Sequence, residues 1–105
     1  MDKAIIDELI VFLKQSLLKY DIQVDSISLF GSALNGNMDK DCDIDLIIIS
    51  SDFRGFNMFE RASMTMKPET ETLRKNKVPM DVINLTPEEY NESNLQMFFQ
   101  PKIVA

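Results

Sequence analysis

Asp43 and Asp45 stand two residues apart at the head of the run Asp43-Ile44-Asp45-Leu46-Ile47-Ile48-Ile49-Ser50. In an extended strand alternate side chains point to one face, so the two carboxylates project together. A pair placed this way can hold Mg²⁺, a hard cation that takes one or two carboxylates and fills its shell with water and substrate phosphates. A two-ion arrangement, with ions ~3.5–4 Å apart on the attacking and leaving oxygens, needs a further ligand from elsewhere in the fold. Asp81 is the candidate, because it interrupts the apolar stretch from Val78 to Leu85, where an unpaired charge is costly. Gly31-Ser32 directly follows another short apolar stretch. A glycine there lets the backbone approach a phosphate, and the following amides and the Ser32 hydroxyl can donate to it. Gly36 allows the loop to turn back toward the next strand.

Each component alone has a plainer explanation. Asp39, Asp41, Asp43 and Asp45 make three overlapping Asp-x-Asp pairs, and an acidic turn is commonly just solvated. A calcium loop of the EF-hand type fails: counted from Asp39, the sixth position is Ile44 and the twelfth is Ser50, where Gly and Glu are required. Most Gly-Ser pairs are ordinary turns. Asp81 is what a solvated turn leaves without a reason.

Composition narrows the classes. With 105 residues there is room for one domain, residues 1–105, which buries only roughly two-thirds of its unfolded surface. Apolar residues make up 45% and charged residues 27%, ordinary for a globular chain. The net charge of -6 argues against nucleic acid as a partner, because phosphate backbones are held by clustered Lys and Arg. The single cysteine, Cys42, excludes an internal disulfide and fits a reducing, cytoplasmic setting. It reads as a small packed residue rather than a redox group. No apolar run approaches the ~20 residues that span a bilayer, so no membrane association is expected. There is no histidine, so a general base must be a carboxylate or another group.

The elements that must position these residues read as follows. Ile6, Leu9, Ile10, Leu13 and Leu17 recur at helical spacing, which predicts a helix over 3–20 with Asp2 as its N-cap. Residues 26–30 and 43–50 read as strands. The second is apolar on both faces, with Ile44, Leu46 and Ile48 on one and Ile47 and Ile49 on the other, as a central strand would be. The glycines, asparagines and aspartates of 31–42 predict a turn. Residues 53–66 predict a helix with Phe56, Phe59, Ala62 and Met66 on one side, stopped at Pro68 and followed by a second short helix to Lys75. Residues 78–85 predict a third strand, and Pro79 near its start marks either an edge strand or a first strand residue. Thr86-Pro87-Glu88-Glu89 predicts a capped helix start. The sum is an α/β (α+β) domain, a small mixed β-sheet with flanking helices, its core at about 26–86 and its C-terminal tail 93–105 without assignment.

Gly31-Ser32-Ala33-Leu34-Asn35-Gly36, the stretch Asn37 to Cys42, and Asp43-Ile44-Asp45-Leu46 together resemble the Gly-Ser…Gly…Asp-x-Asp-Leu signature of the DNA polymerase β-like nucleotidyltransferase superfamily. The spacing is similar to that of its minimal bacterial members, and Met80-Asp81-Val82-Ile83 resembles their third-aspartate strand. The resemblance covers about residues 26–86. It implies the polymerase β-like fold and transfer of NMP, AMP from ATP in the first instance, from an NTP to a hydroxyl, with pyrophosphate released. It implies Mg²⁺ as cofactor in a two-ion site on Asp43, Asp45 and Asp81, with Asp81 also the base, and a grip on the triphosphate by Gly31 and Ser32. Minimal members resemble the antitoxin side of toxin-antitoxin pairs whose other half is a small helical HEPN protein, so a HEPN-type partner is implied, its adenylylation included; homo-oligomer formation stays open. Two positions depart from the pattern. Ala33 and Asn35 stand where many members have arginine, and Cys42 stands where serine is common. Arg54, Arg61 and Arg74 could replace the missing cations, though solvation at the surface is the plainer expectation for each. The alternative to an enzyme is a nucleotide-binding antitoxin subunit that acts by protein contact with little or no catalysis. Phe98, Phe99, Ile103 and Val104 fit either a partner interface or a tail folded on its own core.

Overall fold

Ile44–Ile49 is the strand on which everything else is assembled. In the computed structural model, which describes residues 3–30, 43–93 and 102–105, it forms the second strand of a sheet ordered β3-β2-β1-β4. The elements run α1 (Lys3–Lys19), β1 (Ser26–Phe30), β2 (Ile44–Ile49), a 3₁₀ turn (Ser51–Phe53), α2 (Met58–Asn76), β3 (Met80–Leu85), α3 (Pro87–Glu92) and β4 (Lys102–Ile103). β1 is antiparallel to β2, and β3 is parallel to it. A parallel neighbour requires a long crossover, which α2 supplies.

β2 is buried on both faces, as its composition predicts. On one side Ile27, Leu29, Ile44, Leu46 and Ile48 pack with the inner stripe of α1 and with Phe53. That stripe is Ile6, Leu9, Ile10, Leu13 and Leu17, joined by Ser16. On the other side Phe30, Ile47, Ile49 and Tyr90 form a smaller cluster, joined by Ile83 and Leu85. The predicted N-cap Asp2, the turn 31–42 and the tail residues Phe98 and Phe99 lie outside the described residues.

α2 departs from expectation twice. It runs unbroken through Pro68, and Phe53 belongs to the turn before it. Its buried stripe is Arg61, Thr65, Pro68 and Thr72, while Phe56, Phe59 and Met66 are exposed. The physical reason is that the polar stripe is satisfied where it lies. Thr65 and Thr72 donate to the carbonyls of Arg61 (3.2 Å) and Pro68 (2.8 Å). Asn84 of β3 donates to Thr65 Oγ1 at 3.1 Å. The hydrogen bond lost at a helical proline is offset by this packing.

Arg61 also overturns the expectation of a solvated arginine. It is buried, and its guanidinium meets both carboxylate oxygens of Glu89 (2.6 and 3.1 Å) and the carbonyls of Phe56 (2.9 Å) and Asn84 (3.2 Å). Glu89 is at the same time the third residue of the predicted capping box: Thr86 N donates to it and Glu89 N donates back to Thr86 Oγ1. One carboxylate therefore starts α3 and neutralises a cation under α2. At the other end of the chain, Val104 N donates to Ile27 O and Ile27 N to Ala105 O. Val104 and Ala105 pack on the larger core, whereas Ile103 is exposed.

The Arg61 guanidinium and the Thr86 amide hold the Glu89 carboxyl well down, at about 2 against an ordinary 4.5. A lowered carboxyl contributes stability in full above pH 4.5, and that contribution fades as pH falls toward 2. Glu89 is half-exposed, so solvent screens the pair. Glu89→Gln is expected to cost about 1–2 kcal/mol at pH 7, less than a fully buried pair. It should also flatten the stability curve across that acid window, as read by urea unfolding at a series of pH values.

Candidate active site

The register of the sheet brings the carboxylates to one end. Phe30, the last residue of β1, pairs with Asp45, and Asp45 pairs with Asp81. Because β2 is parallel to β3, the beginnings of both strands lie together; because β1 is antiparallel to β2, β1 finishes there too. Neighbouring strands are ~4.8 Å apart, so Asp45 and Asp81 start side by side. Alternation sets the face. Ile44, Leu46, Met80 and Val82 turn toward α1 and α2, so Asp45 and Asp81 turn to the opposite side. Asp43 precedes β2 by one residue, two before Asp45.

Asp43 and Asp81 are exposed and Asp45 is half-buried. The exposure of Asp81 alters the reason for its interest. A charge within an apolar stretch was expected to sit in a costly place, but β3 is an edge strand and Asp81 meets water. Its adjacency to Asp45 is what sets it apart. Like charges directly opposite one another destabilise a sheet. The Asp45 carboxyl is raised above its ordinary value, first by burial, then by the negative charges of Asp81 and Asp43. Among the described residues, no ion pair reaches any of the three.

Donor chemistry and charge at this end fit a hard cation with bound phosphates. Among the described residues, no three acidic side chains are disposed to enclose a single ion. Mg²⁺ does not require such a cage, since it commonly takes one or two carboxylates with phosphate and water oxygens. Gly31 and Ser32 lie outside the described residues, as do Ala33, Asn35, Gly36 and Cys42. They follow Phe30 in the chain, and Phe30 is opposite Asp45.

The arginines considered as replacements for loop cations are placed elsewhere. Arg61 is committed to Glu89, and nothing in the sequence of α2 signals that, because its apolar residues mark the opposite face. Arg54 donates through Nε to Glu88 at 2.8 Å. Arg74 is exposed in the last turn of α2.

Residues 6–103 match the family model described as "Nucleotidyltransferase domain". The fold is similar to that of a crystal structure from Sulfolobus solfataricus assigned as a nucleotidyltransferase, with a TM-score of 0.56 and 20% identity over 98% of this chain and 87% of that one. No curated protein matches the chain. Among the described residues no helix is long and apolar enough to cross a membrane.

A raised folded-state carboxyl opposes folding once pH exceeds its ordinary value of 3.8, because the folded state must then carry a charge it disfavours. Asp45→Asn is therefore expected to raise the melting temperature at pH 7. Asp81→Asn should lower the titration midpoint of Asp45, leaving the part due to burial. Carboxyl-carbon NMR titration reads the second effect directly, and an unchanged Asp45 midpoint would show that the two charges are not coupled.

Proposed function

The chain belongs to the nucleotidyltransferase domain family, and on that premise we propose that it is a minimal, cytoplasmic member that moves NMP, AMP from ATP, to a hydroxyl acceptor in an Mg²⁺-dependent reaction. The observation that carries the reading is the row Phe30–Asp45–Asp81 with Asp43 beside it: anions gathered at one sheet end, with no ion pair to any of them among the described residues, on a chain of net charge -6.

In this reading Asp43 and Asp45 hold the metal, with Asp81 completing the set. Bound Mg²⁺ would neutralise charge on the phosphates and orient the leaving pyrophosphate. The backbone after Gly31 and the Ser32 hydroxyl hold the triphosphate. Asp81, exposed at the edge strand, takes the proton of the attacking hydroxyl onto its carboxylate as the acceptor oxygen bonds to the α-phosphorus and the bond to pyrophosphate breaks. Correct alignment of that hydroxyl lowers the barrier further. The net negative charge favours a protein acceptor over nucleic acid. A small helical HEPN-type partner, bearing a tyrosine or another hydroxyl, fits the minimal size, and the pair would work as a toxin-antitoxin system with this chain as antitoxin.

One observation favours a second reading. Arg61 and Arg54 are both engaged with glutamates, and Ala33 and Asn35 bring no charge to the loop. A weak grip on the triphosphate suits an antitoxin subunit that binds nucleotide and acts by contact.

Incubation with α-labelled ATP, Mg²⁺ and a co-encoded HEPN-type protein separates the two. The enzyme reading expects label on the partner, dependent on Mg²⁺ and reduced on the order of 10²-fold or more in Asp43→Asn and Asp81→Asn. Tight association of the two proteins with no transfer would sink it in favour of the contact reading.

A further inference from the structure

The outward side of α2 carries the apolar residues that the core does not use. Phe59 is 88% exposed, Met66 60% and Leu73 44%. They recur every seven residues, about two helical turns or ~10 Å apart, and so form one stripe. Exposed apolar residues aligned on one helix face mark a candidate contact surface. Beside its C-terminal half is a groove of about 220 Å³, lined by Met66, Glu69, Thr70, Leu73 and Met80. Met80 is the first residue of β3, so the groove lies at the same end of the sheet as the carboxylates but on the opposite face.

We infer that this face binds a second copy of the chain, with the two α2 helices antiparallel about a twofold axis near Met66. Met66 lies midway between Phe59 and Leu73. A twofold there sets Phe59 against the second copy's Leu73 and points its ring into that copy's groove. The interface is then self-complementary, as a twofold contact must be. Charge follows the same operation. Glu60 and Arg74 each come immediately after a stripe residue and so lie on one flank of it. The twofold brings Glu60 beside the second copy's Arg74 at both ends. One oxygen of Glu60 already accepts from Asn57 N at 2.8 Å, which leaves the other for the guanidinium. Lys67 and Glu69 are the like-charge pairs near the axis; the long stem of Lys67 lets its ammonium reach water, and Glu69 lies on the groove wall. Each copy would thereby supply the Phe59 that closes the other copy's groove, on the face of the sheet opposite Asp81. None of this rests on the transferase reading.

Sedimentation velocity of the full chain over a wide concentration range tests the inference. The mass is expected to move from 12.1 kDa toward twice that value. Phe59→Asp should leave the protein monomeric throughout with an unchanged far-UV circular dichroism spectrum, since the side chain it replaces is outside the core. Arg74→Glu, which faces Glu60 with another anion, should weaken association by about tenfold or more. In a Cys42→Ser background, Met66→Cys should oxidise to a disulfide-linked dimer, because residues at a twofold approach their own copies. A wild-type chain that stays at 12.1 kDa at every concentration overturns the inference. So does a dimer that survives Phe59→Asp, or one in which Met66→Cys does not cross-link.

Discussion

The register of β2 between its two neighbours is the constraint from which the rest follows. A strand with Ile or Leu at every position but one can exist only when both faces are covered, and Asp45 is the exception. Its antiparallel pairing with β1 and its parallel pairing with β3 fix which residues share a row. A slip of one residue would turn Ile44, Leu46 and Ile48 out of the larger core, so the register is held by several buried side chains at once. The carboxylates have no independent means of adjusting their separation. Asp45 lies beside Asp81 because Leu46 lies beside Val82.

α2 and α3 are tied to one another and to β3 by polar contacts as well as apolar ones. Arg61 beneath α2 and Glu89 at the start of α3 join two helices and the β3 backbone at Asn84. Buried ion pairs are costly when incomplete, and this one is completed: the guanidinium has two carboxylate oxygens and two carbonyls. The Arg61 guanidinium also stands over the Phe53 ring, 5.9 Å from its centre. The same pairing explains why α2 keeps Phe59, Met66 and Leu73 outside, while Met64 packs against the larger core. With the hub fixed at Arg61, residues at helical spacing from it face inward, and these are Thr65, Pro68 and Thr72.

That inversion marks where the sequence stops being legible. The helix 3–19, the strands β1, β2 and β3 and the capping box of α3 follow from local periodicity and local chemistry, and each is visible in a window of a few residues; β4, in the unassigned tail, is not. The amphipathic period of α2 is just as visible, but which side is inside depends on Glu89, in another element, accepting Arg61. No local rule carries that information. Pro68 misleads for the same reason: a helix breaker in isolation is tolerated once neighbours hold both flanks. At the site, the Asp-x-Asp spacing was legible, as was the singularity of Asp81. That the two meet in one row was not, because it requires knowing that β3 is parallel to β2 and in which register. The cost of burying Asp81, which drew attention to it, is absent at an exposed edge.

A chain of this size buries too little surface to carry unnecessary repulsion lightly. Asp45 is half-buried beside two anions, and it meets no ion pair among the described residues. Replacing one carboxylate would relieve the sheet, so the arrangement is one that stability alone would not select. Strain of this type gathers where an arrangement serves binding or chemistry. The repulsion is also directional. It is relieved by positive charge arriving at that end of the sheet, on the face away from α1 and α2, and not by any movement within the two cores. Binding at that end and relief of the repulsion are therefore a single event, and a ligand that brings its own cations is favoured by the same repulsion that opposes folding.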